Sequence, residues 1–173
     1  FFVGVRLECV KDASGNFSHD IFYSKRDKDG KWGAALLIGG GINTPGQEKG
    51  PFMHSDSKTL YFASDGHIGV GKMDLYYCKV QDDGSIKEIK NIGYPINSEA
   101  DELGIVVTSD GELAYFGAKN FQNKKGWDVY EFKMPEKAKP EKVMIVKGQV
   151  KTNSGEPPVQ AKVEIQYTDS KFK

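Results

Sequence analysis

The sequence has few of the features that mark an enzyme, a membrane span or a nucleic-acid binder. Its 173 residues include two cysteines, Cys9 and Cys78, too few to define a disulfide framework, and both are expected as buried free thiols. No apolar run approaches the roughly 18 residues that a spanning helix needs, so no transmembrane segment is expected. Charge of one sign is not in excess. Lys plus Arg and Asp plus Glu stand at 24 each, so no global field recruits nucleic acid or an anionic bilayer. His19, His54 and His67 are scattered, with no HExxH spacing and no thiolate cluster, so no metal is expected. A Gly-x-Ser-x-Gly elbow is missing. The loop Gly66-His67-Ile68-Gly69-Val70-Gly71 leads into Lys72-Met73-Asp74 and a strand. It therefore lacks the helix N-terminus and Lys-Ser/Thr pair of a phosphate cradle. No catalytic residue and no cofactor are expected. Nor does any segment place apolar residues at helical spacing over ten positions, which excludes a helical architecture.

What is present is an ungapped repeat of 54 residues. That shift puts Asp20 on Asp74 on Asp128, Asn43 on Asn97, and Glu48 on Glu102. It also puts Ser55-Asp56 on Ser109-Asp110, and Tyr61-Phe62 on Tyr115-Phe116. A fixed period of this size signals stacked supersecondary units, none of which buries its apolar face alone. Within a unit the pattern is all-β. Gly50 to His54 is a short apolar run, Asp56 to Lys58 a turn, and Thr59 to Ala63 a β-branched and aromatic strand. Asp74 to Val80 is a third strand, Asp82-Asp83-Gly84 a hairpin turn, and Ser85 to Ile92 a polar fourth strand. The next unit repeats this at Ile105 to Val107, Leu113 to Phe116 and Trp127 to Phe132. Four short antiparallel strands per unit, running from most apolar to most polar, suit the blades of a β-propeller. A sandwich is the alternative, but it does not predict an ungapped register.

The expected organisation is a partial propeller over 1–134, a proline-punctuated, charged and solvated linker over 135–142, and the start of a small β-sandwich over 143–173. In that last segment Val143 to Lys151 and Val159 to Tyr167 read as strands. The opening Phe1-Phe2-Val3-Gly4-Val5 reads as mid-strand, which suggests an excerpt of a longer polypeptide.

The block Ile42 to Phe52, Ser55-Asp56, Leu60 to Gly66 and Asp74-Leu75-Tyr76, matched at Asn97, Glu102, Ser109-Asp110-Gly111, Tyr115-Phe116 and Gly126 to Tyr130, resembles the TolB-type, WD-like β-propeller repeat. These units look like those of periplasmic OmpA-family proteins of Bacteroidota. There a propeller leads into a carboxypeptidase-regulatory-like sandwich, to whose opening Val146 to Val150, Thr152 to Gly155 and Ala161 to Val163 are similar. The first unit departs from the pattern at Arg6-Leu7-Glu8, where an aromatic pair is expected. The resemblance implies a non-enzymatic scaffold in the periplasm, associated with the outer membrane. It would contact envelope proteins such as those of type IX secretion, and peptidoglycan through a domain outside this chain. The alternatives are a propeller that binds or gates substrate for a peptidase or glycan hydrolase, and a carbohydrate-binding propeller using Phe121 and Trp127.

Asp56 and Asp110, with Ser55 and Ser109, are expected to bond turn amides. Asp20, Asp74 and Asp128 are expected to fasten the third strand, because an enzyme needs one reactive carboxylate pair and not one carboxylate per unit. Asn43, Glu48, Asn97 and Glu102 recur in the connections entering each unit. They either cap local amides or, together with Phe121, offer a partner-binding rim.

Overall fold

The structure, a computed structural model, describes residues 2–11, 15, 17–81, 84–119, 125–144, 148–152, 154–155 and 162. Ten strands run in chain order as β1 (Phe2–Lys11), β2 (Phe17–Ser24), β3 (Leu36–Leu37), β4 (Glu48–Met53), β5 (Thr59–Ser64), β6 (Asp74–Val80), β7 (Ile86–Asn91), β8 (Asp101–Val107), β9 (Leu113–Lys119) and β10 (Trp127–Lys133). They form three open antiparallel sheets, ordered β1-β2-β3, β4-β5-β6-β7 and β10-β9-β8. The strands expected from β-branched and aromatic runs at 59–63 and 74–80 form as β5 and β6.

Alternation along β5 and β6 sets up two cores. Leu60 lies opposite Cys78 and Phe62 opposite Tyr76, while Tyr61 lies opposite Tyr77 and Ala63 opposite Leu75. Opposed residues share a face, so the first set points one way and the second the other. Leu60, Phe62, Tyr76, Cys78 and Val80 pack with Ile21, Ile38 and Ile42 of the first unit. Tyr61, Ala63, Leu75 and Tyr77 pack with Ile105, Val107, Ala114, Phe116 and Ala118 of the third sheet. The middle sheet is thus buried on both faces, which is why every residue of β5 is inaccessible. Each sheet has a forward face, toward its successor in the chain, and a backward face, toward its predecessor. Full burial of a Leu, Ile or Phe is worth about 1.5–3 kcal/mol, so either neighbour contributes several such terms to the middle sheet.

The repeat persists in the turns. His54 and Thr108, one period apart, each open a six-residue turn closed by a bond from its own amide to the carbonyl of Thr59 (2.9 Å) or Leu113 (2.9 Å). The left-handed position of this turn is Ser57 (φ 58°) in one unit and Gly111 (φ 72°) in the next. Glycine suits the second for another reason, since a Cβ there would come within 2.8 Å of Pro140.

Two expectations need correction. The sheets do not make the blades of a β-propeller: they are separate and open, with no circular closure, and only one has four strands. A period specifies how one unit meets the next, but it does not supply ring closure. In the third unit the residues that should turn into a fourth strand instead form a 3-10 turn at Glu136–Ala138. Pro140, which has no amide hydrogen to donate to a ladder, follows. The expected sandwich start over 143–173 is not decided: the described residues within 143–155 carry no strand, and the rest of the segment, its expected second strand included, lies outside the described residues apart from position 162. Second, segment 135–142 is not solvated throughout. Ala138 and Pro140 are buried, the Tyr61 hydroxyl donates to the Ala138 carbonyl at 2.6 Å, and the Glu141 amide donates to Asp56 Oδ2 at 3.0 Å. The Val143 amide reaches the Ser109 carbonyl at 3.1 Å, and Lys139 pairs with Glu112 at 2.7 Å. The segment is a strap laid across the turns of the second and third sheets. The irregular first unit also leaves a mark, as the register of β1 against β2 shifts between Leu7 and Lys11.

Candidate functional site

The recurring polar residues hold the backbone. Asn97, fully buried, accepts the Leu75 amide on Oδ1 (2.8 Å) and donates from Nδ2 to the Leu75 carbonyl (2.9 Å) and to Asn91 Oδ1 (2.7 Å). One period earlier Asn43 does the same for Ile21, at 2.8 Å and 3.1 Å. A side-chain amide presents a donor and an acceptor side by side, and here it takes the place of a neighbouring strand near the start of β6 and midway along β2. Glu48 and Glu102 are also fully buried. Glu48 accepts the Thr44 amide and hydroxyl (3.0 and 2.6 Å) and the Ser64 hydroxyl (2.8 Å). Glu102 accepts the Ser98 amide and hydroxyl (3.2 and 2.6 Å). Ala118 occupies the position of Ser64 in the later unit, so the hydroxyl that Ser64 supplies to Glu48 has no counterpart there. Burial pushes the Glu102 carboxyl up, against the bonds from Ser98, and the nearby Asp74 adds to the rise. Of the two readings kept open for these four residues, the geometry displays capping of local amides.

Asp56 accepts the amides of Lys58 and Thr59 (both 2.9 Å) and the Thr59 hydroxyl (2.7 Å). Burial alone would raise its carboxyl, but these bonds and the one from Glu141 prevail and hold it at about 2. Asp110, its counterpart, is exposed and accepts the Thr108 hydroxyl (2.6 Å) and the Glu112 amide (3.1 Å). Ser55 and Ser109 are exposed. Asp74 is buried and accepts the amides of Val70 and Gly71 in the glycine loop, whereas Asp128 is exposed and Asp20 half-buried. His54 links neighbouring sheets. Its Nδ1 accepts the Asp56 amide (3.1 Å), which leaves Nε2 as the donor to the Thr108 carbonyl (3.0 Å). Cys78 is a buried free thiol, pushed up to about 12 by burial. Phe121 lies outside the described residues. Among the described residues, no cluster of three or more His, Cys, Asp or Glu is placed to hold a metal, and no helix is long and apolar enough to cross a membrane.

A different surface stands out from the comparison of units. On the forward face of the third sheet, Val106 is 51%, Tyr115 37%, Trp127 52% and Val129 77% exposed. Their counterparts one period earlier are Phe52, Tyr61, Met73 and Leu75, all members of the core that the third sheet closes. Register brings the four together: Tyr115 lies opposite Val106 on one side and Glu131 on the other, with Val129 opposite Gly117 and Trp127 opposite Lys119. Of Tyr61, Phe62, Tyr115 and Phe116, three are core and only Tyr115 reaches solvent. Trp127, which its alignment with Met73 marks as packing, is half exposed. Val106 and Val129 carry no signal as single residues. They become visible only when burial is compared across the repeat.

No protein-family model, no curated protein and no solved structure matches this chain. The resemblance to TolB-type, WD-like repeats and to OmpA-family proteins is therefore withdrawn, since neither the comparisons nor the open sheets support it. What stands is an all-β chain of three separate antiparallel sheets.

Proposed function

We propose that this chain is a non-enzymatic interaction module that binds a protein partner through the forward face of its third sheet. One observation carries the reading: Val106, Tyr115, Trp127 and Val129 are exposed where Phe52, Tyr61, Met73 and Leu75 are covered by another sheet. A contiguous apolar patch rimmed by charge, here Lys119 and Glu131, is how soluble proteins mark a contact surface, and Trp and Tyr are the residues that most often anchor one. The recurring carboxylates support the same reading, because Glu48, Glu102, Asp56 and Asp74 are each engaged by local donors. No particular compartment is required.

The test is a photo-crosslinking residue placed at Val129 in the source cell, with the exposed Lys87 of β7 as control. A discrete adduct from position 129, lost when Trp127→Lys is added and not formed from position 87, is the expected result. No adduct from position 129 would overturn the reading.

A further inference from the structure

We infer that two copies of this chain pair edge to edge, β10 against β10 and antiparallel about a two-fold axis, so that their third sheets join into one. The surface is the hydrogen-bonding edge of that sheet and not its forward face, so the inference stands apart from the reading of the face.

In the other two sheets the strand equivalent to β10 is paired on its outer side. One period earlier β6 carries β7 there, with Tyr76 opposite Asn91 and Tyr77 opposite Lys90. A further period back β2 carries β3, with Phe22 opposite Leu37 and Tyr23 opposite Leu36. Among the described residues β10 pairs with β9 alone, and the segment that follows it leaves as the strap. The backbone groups of this edge can be named. The Met134 amide turns inward to the Glu112 carbonyl at 2.9 Å, as the Val80 amide does to the Lys58 carbonyl at 2.7 Å one period earlier. Direction alternates along a strand, so Lys133, Glu131, Val129 and Trp127 turn their N–H and C=O outward. Leu75, the counterpart of Val129, uses its outward carbonyl to accept the Ile92 amide at 3.1 Å. All four residues of the β10 edge are exposed. Neither proline nor bulge interrupts β10 to protect it. The repeat thus displays what such an edge receives, which is an antiparallel strand.

The order of residues selects a second copy as the occupant. A two-fold axis at Tyr130 sets Trp127 opposite Lys133 and Val129 opposite Glu131, each pair formed twice. Residues with outward groups then face one another, and each such pair exchanges two backbone bonds. No charge lies directly opposite its like. The ammonium of Lys133 lies over the indole of Trp127, the stem of Glu131 covers Val129, and Asp128 stands opposite Phe132. Moving the axis to Glu131 would set that carboxylate against itself, and a parallel in-register pairing would do so for every charge on the strand.

Sedimentation velocity across a concentration series is the test. The wild-type chain is expected to pass from monomer to dimer and stop there, because a two-fold contact uses up the edge. Val129→Glu sets a carboxylate opposite Glu131 of the second copy at both symmetric places and should weaken the dimer about tenfold, whereas Val129→Lys sets a cation there and should tighten it. Glu131→Pro removes an outward amide and should abolish the dimer. Unchanged circular dichroism would establish that this variant folds, and the two Val129 variants carry the test if it does not. The sign at Val129 separates edge pairing from stacking of two apolar forward faces, which either charge would weaken. Amide exchange is the second readout: Val129, Glu131 and Lys133 should exchange freely in dilute solution and slow as the dimer forms. A chain that stays monomeric up to about millimolar concentration would overturn the proposal. So would Val129 variants that shift the same way, or β10 amides already slow in the monomer, as they would be beneath a strand of the same chain. A monomer that still crosslinks from Val129 to a protein of different mass would sink the pairing and leave the contact surface standing; a dimer without that crosslink would do the reverse.

Discussion

Replacing Asn97 should test the repeat at its most buried polar point. Asn97→Ala removes three hydrogen bonds, but their consequences differ. The Leu75 carbonyl keeps the Ile92 amide at 3.1 Å, and Asn91 Oδ1 keeps the Gly93 amide at 2.7 Å. The Leu75 amide loses its acceptor inside the protein, and an orphaned buried donor costs about 1–3 kcal/mol. With about 0.5–1 kcal/mol for the remaining bonds, the expected loss is about 2–4 kcal/mol, a large part of the 5–15 kcal/mol typical of a domain. For a urea slope of about 2 kcal/mol/M, the midpoint should fall by about 1–2 M. Asn43→Ala breaks the equivalent bonds to Ile21, but Asn43 is half-buried, so water can replace it. About a third of that shift is expected.

Asn97→Asp sharpens the test. An ionised carboxylate there accepts the Leu75 amide but faces two oxygens, the Leu75 carbonyl and Asn91 Oδ1, with no hydrogen to offer. The protonated form restores one donor, so the folded-state pKa must lie above the unfolded value of about 3.9. A raised carboxyl costs stability as pH climbs from the unfolded value through the folded one, so this variant should be weakest at pH 8 and recover toward pH 4. Equal midpoint shifts for the two alanine variants, or an aspartate variant indifferent to pH over that range, would refute the assignment of these amides as strand substitutes.

Two further outcomes follow from the same geometry. Asp56 is held near 2 in the fold, below its ordinary value of 3.8, so its contribution is complete above about pH 4 and is lost as pH falls toward 2. Asp56→Asn, at a side chain only 1% exposed, should flatten the acid limb of an unfolding titration and cost about 1–3 kcal/mol at pH 7, the range for bonds to a buried charged acceptor. Ala118→Ser returns to the third sheet the hydroxyl that Ser64 supplies in the second; a charge-assisted bond to Glu102, set against burial of the hydroxyl, should stabilise by about 1 kcal/mol. The gain should be larger at pH 7 than at pH 5 in denaturant melts, because only the ionised carboxylate needs the donor, and the reverse order would contradict the role given to Glu102.

The strands themselves were legible, because β5 and β6 announce themselves by aromatic and β-branched runs between turn residues. The Asp56 turn was legible for a similar reason: a short carboxylate two residues before an amide is a local device, set by chain geometry alone. What could not be seen was everything that depends on a neighbour. The repeat pairs Ser64 with Ala118 and Ser57 with Gly111 without disclosing that one hydroxyl completes a buried carboxylate or that the glycine makes room for Pro140. The strap was misread because its lysines and glutamates suggest solvation, while the residues that dock it, Ala138 and Pro140, are two small ones among many charges. Closure was misread because an ungapped period fixes only how consecutive units meet.

Tyr61 and Tyr115 show that burial here belongs to the stack and not to the letter. Both sit at the same step of the repeat and point to the same side of their sheets, yet one is sealed with its hydroxyl on the Ala138 carbonyl and the other is 37% exposed with its hydroxyl on Glu131. In a linear array each unit is stabilised by nearest-neighbour faces, and a terminal unit that ends in water ordinarily carries a polar outer face. The third sheet has only begun such a change: Glu131 replaces Tyr77 and Gly117 replaces Ala63, but Val129, Val106, Tyr115 and Trp127 remain apolar. The strap covers the turn end of the stack and leaves this face open, so the bonds that fasten the chain's last described segments do nothing to hide it. A unit built to be covered, fastened at its turns and left bare on its forward face, is the physical basis for proposing that face as a contact surface.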